Sequence, residues 1–221
     1  MIKVLITGGA GFIGSAMAEK IAQDPKVEVH IVDNLVTGSE VKVPDMPNVF
    51  FHHCDVNRYD EIAKVFSERS FNYVFHYAAL VGVQLTLKQP VKVLEDIRGI
   101  ENLLVLSKVS GVKQFLYSSS SEVYGEPVEF PQNEHTTPLN SRLPYAIVKN
   151  VGEAYIRSYH KEFGLDYTIF RFFNTYGPKQ SKDFVMSKFI AAALKNEDIP
   201  IYGDGTQTRT FCFIDDNTDA C

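Results

Sequence analysis

Short apolar runs rich in β-branched residues alternate with amphipathic stretches along most of the chain. The runs KVLIT, VEVHIVD, VFFHHCDV, YVFHYA, QFLYSSS and YTIFRFF have the length and composition of buried strands. Between them, helical patterns are predicted at 12–24, 59–69, 88–110 and 146–163. Strands separated by helices favour right-handed crossovers and a parallel sheet covered on both faces. The pattern therefore predicts an α/β, doubly wound fold.

The composition and the hydrophobic pattern of the sequence change after Phe173. The segments NTYGPKQSKDF and IPIYGDGTQTRTFCFIDD carry Gly, Thr and Asp between short apolar runs, and a helix is predicted at 185–196. We therefore expect one large sheet domain, 1–173, followed by the start of a smaller region, 174–221. The final letters DDNTDAC are typical of the first turn of a helix, so the smaller region is expected to be incomplete.

Composition and charge exclude several classes of protein. With 45% hydrophobic and 22% charged residues, the chain has the balance of a globular protein. Its apolar runs are too short to cross a bilayer and MIKVLITGG lacks the pattern of a signal peptide, so we expect a cytoplasmic protein without a membrane partner. A net charge of -5 does not indicate the basic surface that is typical of nucleic-acid-binding proteins. Cys54, Cys212 and Cys221 are too scattered for a disulfide framework or a zinc site, and no metal is expected.

A glycine-rich turn follows the first predicted strand. In TGGAGFIGS, Gly8, Gly11 and Gly14 satisfy GxxGxxG at the start of an amphipathic helix. Glycines allow the backbone to approach a pyrophosphate, whose charge is stabilised by the N–H groups of the helix N-terminus. Asp33 ends the second strand, where a carboxylate accepts the hydroxyls of an adenosine ribose and repels a 2′-phosphate. The alternative is a turn used only for packing, but this combination favours NAD over NADP, with Asp55 a candidate for the adenine edge.

The motif YAIVK is the candidate for acid–base chemistry. Tyr145 and Lys149 are four residues apart, which places both on one helix face. A phenol with a pKa near ~10 needs roughly 4 kcal/mol of stabilisation to become a base at neutral pH. One cation at about 4 Å supplies that much, and Lys149 and a nicotinamide ring are the two candidates. A surface pair is the alternative, but the serine-rich strand end upstream favours general base catalysis coupled to hydride transfer.

With these residues assembled, the chain resembles the extended short-chain dehydrogenase/reductase family, the NAD-dependent epimerases and dehydratases of nucleotide sugars. TGGAGFIG, VDN, CDV, HYAA, SSSSEVYG, PYAIVK, RFFNTYGP and YGDGTQTRTF occur in the family's order and spacing. The resemblance implies a Rossmann-type fold, NAD as cofactor and a homodimer formed by the two long helices, 88–110 and 146–163. The family's members are usually longer than this chain.

The resemblance also implies a role for individual residues. It makes Tyr145 the base, Lys149 the residue that lowers its pKa and holds the nicotinamide ribose, and Ser120 the hydroxyl that shares the proton. The cofactor contacts that it implies are Gly8, Gly11, Phe12, Ile13, Gly14, Asp33, Asn34, Asp55, Val56, Ala78, Ala79, Tyr145 and Lys149. The substrate contacts that it implies are Ser120, Ser121, Glu122, Asn174 and Arg209, the last as a clamp on the diphosphate.

The residues before VYG bear on the choice of reaction. A 4,6-dehydratase of this family has Asp-Glu there, whereas this chain has Ser121 and Glu122, so we rank that reaction last. A UDP-glucuronate decarboxylase shares Ser-Glu, but its proline-rich loop after the HxA segment is absent from HYAALVGVQ. A 4-epimerase of a UDP-hexose needs only Tyr145, Ser120, NAD and room for a 4-keto sugar to rotate, and we favour it. A regulatory protein that holds NAD without turnover is the alternative from another class.

Two positions depart from the family's pattern. Val81 stands where hexose 4-epimerases often have a lysine, and Asp96 stands where an asparagine is common. Cofactor contacts from the segment EDIRG are therefore not expected.

Overall fold

Six parallel strands form the central sheet of the computed structural model, which describes residues 1–201 and 203–221. The sheet order is β3-β2-β1-β4-β5-β6, so the strand order reverses between β1 and β4. Such a reversal opens a crevice at the carboxyl ends of the strands, where ligands bind in doubly wound folds. The predicted Rossmann-type architecture is thus confirmed. The strands are β1 Ile2–Thr7, β2 Val27–Asp33, β3 Val49–His53, β4 Tyr73–His76, β5 Gln114–Ser120 and β6 Asp166–Phe172.

Helices cover both faces of the sheet. Neighbouring residues of one strand point to opposite faces, so Leu5 belongs to one buried cluster and Ile6 to the other. Apolar side chains on both faces explain why the strands are nearly continuous hydrophobic runs. No helix in the described ranges has the length and apolar character needed to cross a bilayer. The helices up to β6 are α1 Phe12–Ile21, α2 Tyr59–Ser67, α3 Val83–Lys88, α4 Pro90–Leu94, α5 Asp96–Val109 and α6 Pro144–Phe163.

The helix predicted at 88–110 is divided in the structure, because α3 ends at Lys88 and the two helices α4 and α5 occupy the rest of the range, separated at Glu95. Gln89 has φ −130° and ψ 56°, outside the helical region, since the ring of a following proline disfavours helical backbone. Pro90 then starts α4, where its missing N–H costs no hydrogen bond. Proline acts in the same way at the start of α6, which begins at Pro144, before the predicted boundary.

The region after β6 attaches to α1. Its strands β7 Asn174–Tyr176 and β8 Phe211–Phe213 pair in parallel, and its helices are α7 Val185–Leu194 and α8 Ile214–Ala220. The segment DDNTDAC, predicted as the first turn of a helix, thus belongs to a helix of about two turns. Helix α8 packs on α1, where Lys20 forms an ion pair with Asp219, and Glu19 pairs with Lys179 at 2.8 Å.

Candidate active site

The glycine-rich turn joins β1 to α1 at the crevice. Gly8 has φ +69°, and a Cβ there would lie 2.7 Å from the backbone nitrogen of Ala78, so only glycine fits. Gly11 is the N-cap of α1 and provides no side-chain cap, which leaves the first N–H groups of the helix, those of Phe12 and Ile13, available to a ligand. This turn therefore fits an anion such as the pyrophosphate of a dinucleotide.

Asp33 lies at the end of β2 and is 8% exposed. Its carboxylate accepts hydrogen bonds from the backbone nitrogens of Ala10 at 3.0 Å and Leu35 at 2.8 Å. A Cβ on Gly38 would come within 2.7 Å of the same carboxylate, so the loop after β2 closes directly on it. A carboxylate has about four acceptor sites, so further sites remain for ribose hydroxyls. The neighbouring Asn34 is exposed.

The other predicted cofactor residues follow β3 and β4. Asp55 is half-buried and accepts the N–H of Asn57 at 2.9 Å, whereas Val56 is buried. Ala78 and Ala79 are half-buried after β4, and Ala78 donates its N–H to the hydroxyl of Thr7 at 3.3 Å. Because β1 to β4 are parallel neighbours, their carboxyl ends share one edge of the sheet. The predicted cofactor residues are thus arranged along a single crevice.

The three predicted catalytic residues lie together where β5 meets α6. Ser120 lies close enough to Tyr145 for its hydroxyl to lower the pKa of the phenol. The Nζ atom of Lys149 donates to the carbonyl of Ser118 at 2.6 Å and lies 5.7 Å from the centre of the Tyr145 ring. Lys149 is 3% exposed, whereas Tyr145 is partly exposed. A hydroxyl, a phenol and an ammonium group therefore surround one position.

The pKa values of this cluster are shifted mainly by burial. Burial raises the pKa of Tyr145 to about 12, with help from the carboxylates of Glu122 and Asp96, and the nearby Ser120 hydroxyl opposes the rise. Burial lowers the pKa of Lys149 to about 8, and the charge of Asp96 opposes that change. Among the protein's own side chains, burial of the phenol therefore outweighs its favourable contacts, and the lowering of the Tyr145 pKa by Lys149 stays a prediction.

A 3-10 turn, Ser121–Tyr124, follows β5 and carries Glu122. The Ser120 hydroxyl accepts the N–H of Glu122 at 3.2 Å, which fixes the start of the turn. Ser121 is half-buried and Glu122 is exposed, yet the charge of Glu122 still acts on Tyr145. The turn therefore presents a carboxylate beside the catalytic cluster.

The two predicted phosphate contacts lie in the region after β6. Asn174 donates its Nδ2 to the carbonyl of Thr210 at 2.9 Å, which places it beside the residue that follows Arg209. The exposed guanidinium of Arg209 donates to the carbonyl of Thr208 at 2.7 Å. Neither side chain hydrogen-bonds Tyr145 or Lys149 within the described ranges. The structure thus brings Asn174 close to the Arg209 segment, and keeps both outside the catalytic cluster.

Asp96 is a residue of the site that the sequence did not assign. Its carboxylate accepts the N–H of Leu80 at 2.6 Å and the Nδ2 of Asn57 at 3.3 Å, so it joins the loops that follow β4 and β3. Burial raises the pKa of Asp96, while its charge acts on both Tyr145 and Lys149. The signal available in the sequence was that Asp96 stands where the family commonly has an asparagine.

Glu153 and Arg171 form a second pair that the sequence analysis missed. Glu153 is 0% exposed on α6, and Arg171 lies on β6, with its Nη2 atom 2.7 Å from the carboxylate. The available signal was an arginine within the apolar run YTIFRFF, because a guanidinium that is buried among apolar residues needs an anionic partner.

The histidines of the third predicted strand have structural partners. His52 lies 3.1 Å from the Nδ1 atom of His30, and the two rings stack. Within the described residues, no group of three or more His, Cys, Asp or Glu side chains is arranged to hold a metal ion.

Comparisons with known proteins point to a single family. Residues 4–221 match the NAD dependent epimerase/dehydratase family. UDP-glucuronic acid decarboxylase 6 of Arabidopsis thaliana is 36% identical over 222 residues, which cover 97% of this chain and 63% of the relative. The chain therefore spans less than two thirds of the length of that enzyme.

Solved structures agree in fold. UDP-glucose 4-epimerase from Thermotoga maritima, solved with UDP-glucose, has a TM-score of 0.93 at 34% identity, and the match covers 99% of this chain and 72% of that one. UDP-glucose 4-epimerase from Thermus thermophilus, solved with NAD, has a TM-score of 0.91 at 32% identity, covering 99% and 73%. The similarity thus extends over the crevice and the catalytic cluster together.

Proposed function

The chain belongs to the NAD dependent epimerase/dehydratase family, and we propose that it acts as a nucleotide-sugar 4-epimerase on a UDP-hexose. The observation that carries the proposal is the grouping of Ser120, Tyr145 and Lys149 where β5 meets α6, at the edge of a crevice that fits a dinucleotide. Residues 1–173 would bind the cofactor and perform the chemistry, and residues 174–221 would begin the substrate region.

The residues present fit NAD. The uncapped start of α1 provides N–H donors for a pyrophosphate, while Asp33 supplies acceptors for ribose hydroxyls. When bound, NAD supplies a hydride acceptor that later returns the hydride, and a positive nicotinamide charge. The residues that would hold it are Gly8, Gly11, Phe12, Ile13, Gly14, Asp33, Asn34, Asp55, Val56, Ala78, Ala79, Tyr145 and Lys149.

Three side chains would take part in the transfer of the proton. Tyr145, as the phenolate, accepts the proton of the sugar's 4-hydroxyl while Ser120 donates a hydrogen bond to the same oxygen. Lys149 provides the positive charge next to the phenolate. The carbon becomes a ketone, the sugar turns over in the site, and Tyr145 returns the proton to the oxygen. The carbon thereby ends with the opposite configuration, and no atom is lost.

The substrate's diphosphate would lie toward the region after β6. Asn174 and Arg209 are proposed as its contacts, since a guanidinium forms two parallel hydrogen bonds with a phosphate. Ser121, at the turn beside Tyr145, cannot act as the acid that a dehydratase would need at this position, because a hydroxyl is far too weak an acid.

A second candidate reaction is decarboxylation of UDP-glucuronate. The observation that favours it is Glu122, an exposed carboxylate whose charge acts on Tyr145 and which the epimerase mechanism leaves unused. The Arabidopsis decarboxylase is also 36% identical to this chain. Both reactions begin with the same oxidation, so they share Tyr145, Ser120 and Lys149.

Incubation with three different nucleotide sugars distinguishes these functions. The protein is mixed with NAD and, separately, with UDP-glucose, UDP-N-acetylglucosamine and UDP-glucuronate, and the products are separated by chromatography. An epimerised hexose supports the first proposal, and a UDP-pentose with carbon dioxide supports the second. Binding of NAD without any product would contradict both and favour the regulatory alternative. The homodimer and the cytoplasmic location stay predictions.

A further inference from the structure

Glu153 is a fully buried carboxylate on α6, one helical turn beyond Lys149. Its oxygens accept the hydroxyl of Ser119 at 2.6 Å, and Nε and Nη2 of Arg171 at 2.8 and 2.7 Å. Arg157 donates a further hydrogen bond at 2.8 Å from the surface. Burial alone would raise the pKa of Glu153, but these donors lower it, so the carboxylate stays charged.

Arg171 extends this pair toward the turn after β5. Its side chain is 8% exposed, and on β6 it lies directly opposite Ser119 of β5. The Nη1 atom donates to the hydroxyl of Tyr124 at 2.9 Å and to the carbonyl of Glu134 at 3.1 Å. One guanidinium therefore connects β6 to the 3-10 turn and to the loop that precedes α6.

The pair holds the segment that carries Ser120 from both sides. Ser119 precedes Ser120 and is bound by Glu153, and Tyr124 ends the following turn and is bound by Arg171. Glu153 is on the same helix as Tyr145, so the position of the Ser120 hydroxyl is linked to the position of the Tyr145 phenol. A buried ion pair adds little stability over well-packed apolar side chains, so its geometry is the property that matters here.

We propose that Glu153, together with Arg171, is a positioning residue that holds the Ser120 hydroxyl beside the Tyr145 phenol. The proposal rests on the proposed function, in which this arrangement is used in turnover. Within the described ranges neither charged group bonds Tyr145 directly, so the effect passes through Ser120.

A double-mutant cycle between Glu153→Gln and Ser120→Ala tests this proposal. In the wild-type background, Glu153→Gln lowers kcat roughly tenfold to a hundredfold, the cost of misplacing a catalytic group, while KM and the affinity for NAD change little. In the Ser120→Ala background, the same change lowers kcat by less than about twofold, because the group that it positions is gone. The matched control is Glu162→Gln, an exposed glutamate of α6, which leaves kcat unchanged. Equal losses of kcat in both backgrounds overturn the proposal.

A spectroscopic measurement keeps the proposal separate from the reaction. The 13Cζ signal of Tyr145, assigned by its loss in Tyr145→Phe, reports the surroundings of the phenol oxygen without turnover. Glu153→Gln shifts this signal in the wild-type background and leaves it in place in the Ser120→Ala background. An unmoved signal in the wild-type background shows a role in stability alone. Absence of turnover with a shifted signal would count against the proposed reaction only.

A milder variant covers the case in which Glu153→Gln does not fold. Ser119→Ala removes one hydrogen bond of the carboxylate and leaves the Arg171 ion pair intact. We expect the same changes in kcat and in the Tyr145 signal, of smaller size and equally dependent on Ser120. Wild-type values of both in a folded Ser119→Ala protein overturn the proposal.

Discussion

Ser120 acts on Tyr145 although the two belong to different elements, the end of strand β5 and the first turn of helix α6. Their contact opposes the rise of the Tyr145 pKa that burial and the nearby carboxylates cause. A proton taken from a substrate hydroxyl would be shared between these two oxygens, so the contact links the fold to the proposed chemistry.

Removing the phenol tests the base directly. Tyr145→Phe is expected to lower kcat by about 10²-fold to 10⁴-fold, the usual contribution of a positioned acid–base group. The affinity for NAD, measured by calorimetry, should change little, because the glycine-rich turn and Asp33 are unaltered. Ser120→Ala should give a smaller loss of kcat in the same direction. A Tyr145→Phe protein with wild-type turnover would remove the assignment.

Replacement of Asp96 by Asn should shift the pH profile toward acid. The Asp96 charge raises the pKa of Tyr145, so its removal lowers that pKa and moves the acidic limb of kcat/KM to lower pH. The same change removes a charge that favours protonated Lys149, whose pKa should fall further below about 8. The measurement is kcat/KM against pH, with exposed Glu95→Gln as the control. An acidic limb that stays in place refutes this role of Asp96.

Loss of the Asp33 carboxylate should weaken NAD binding. Hydrogen bonds to a charged group contribute about 1.5–3 kcal/mol, so Asp33→Ala should lower the affinity for NAD roughly tenfold to a hundredfold. The variant should also lose its preference for NAD over NADP, because the charge that repels a 2′-phosphate is gone. Isothermal titration with each nucleotide measures both effects, and exposed Asp45→Ala is the control. Unchanged affinity for NAD would contradict the assigned role.

A methyl group at Gly152 should separate α6 from the sheet. A Cβ at this position would lie 2.6 Å from the Cζ atom of the buried Tyr117 ring, so Gly152→Ala forces the helix or the ring to move. We expect a loss of about 1–3 kcal/mol in the free energy of unfolding, the usual cost of overpacking. Thermal unfolding measures it, and Ser158→Ala on the exposed side of α6 should leave the midpoint nearly unchanged. A Gly152→Ala protein of wild-type stability would show that the contact relaxes freely.

Two buried histidines should make the fold sensitive to acid. Burial lowers the pKa of His30 to about 4 and that of His76 to about 3, below the ordinary value of 6.5. As the pH falls below 6.5, the unfolded chain binds protons that the folded chain does not, so stability decreases down to the folded pKa values. Each histidine should lower the free energy of unfolding by roughly 2 kcal/mol as the pH falls from about 7 to about 5.

Urea unfolding at the two pH values measures this loss. His30→Phe, which keeps a ring between Phe50 and His52, should reduce the acid-induced loss by about one histidine's share. An acid-induced loss equal to that of the wild type would show that His30 does not contribute.

Much of the fold could be predicted, because the inner strands of the large sheet are buried on both faces and each strand stands out as an apolar run. The helix boundaries were harder, since the interruption at Gln89 comes from the ring of the next residue and leaves no mark in the hydrophobic pattern. The attachment of α8 to α1 includes contacts between distant segments, such as the ion pair of Lys20 with Asp219, which periodicity does not contain.

The site was predictable where chemistry follows from spacing. Tyr145 and Lys149 share a helix face by their separation alone, and Gly8 and Asp33 follow from a strand, turn and helix in order. The direction of the Tyr145 pKa was not predictable, because it depends on burial and on the three-dimensional approach of Asp96. Side chains that act across elements, as Glu153 does, are revealed only by the folded arrangement.

Helix α1 has two separate contacts that make it a point of thermodynamic linkage. Its first turn borders the position proposed for the pyrophosphate, and its last turns carry Glu19 and Lys20, which hold Lys179 and Asp219. A ligand that binds only the folded form of this helix also opposes the detachment of everything anchored to it. Cofactor concentration would thus protect the segment 174–221 from proteases.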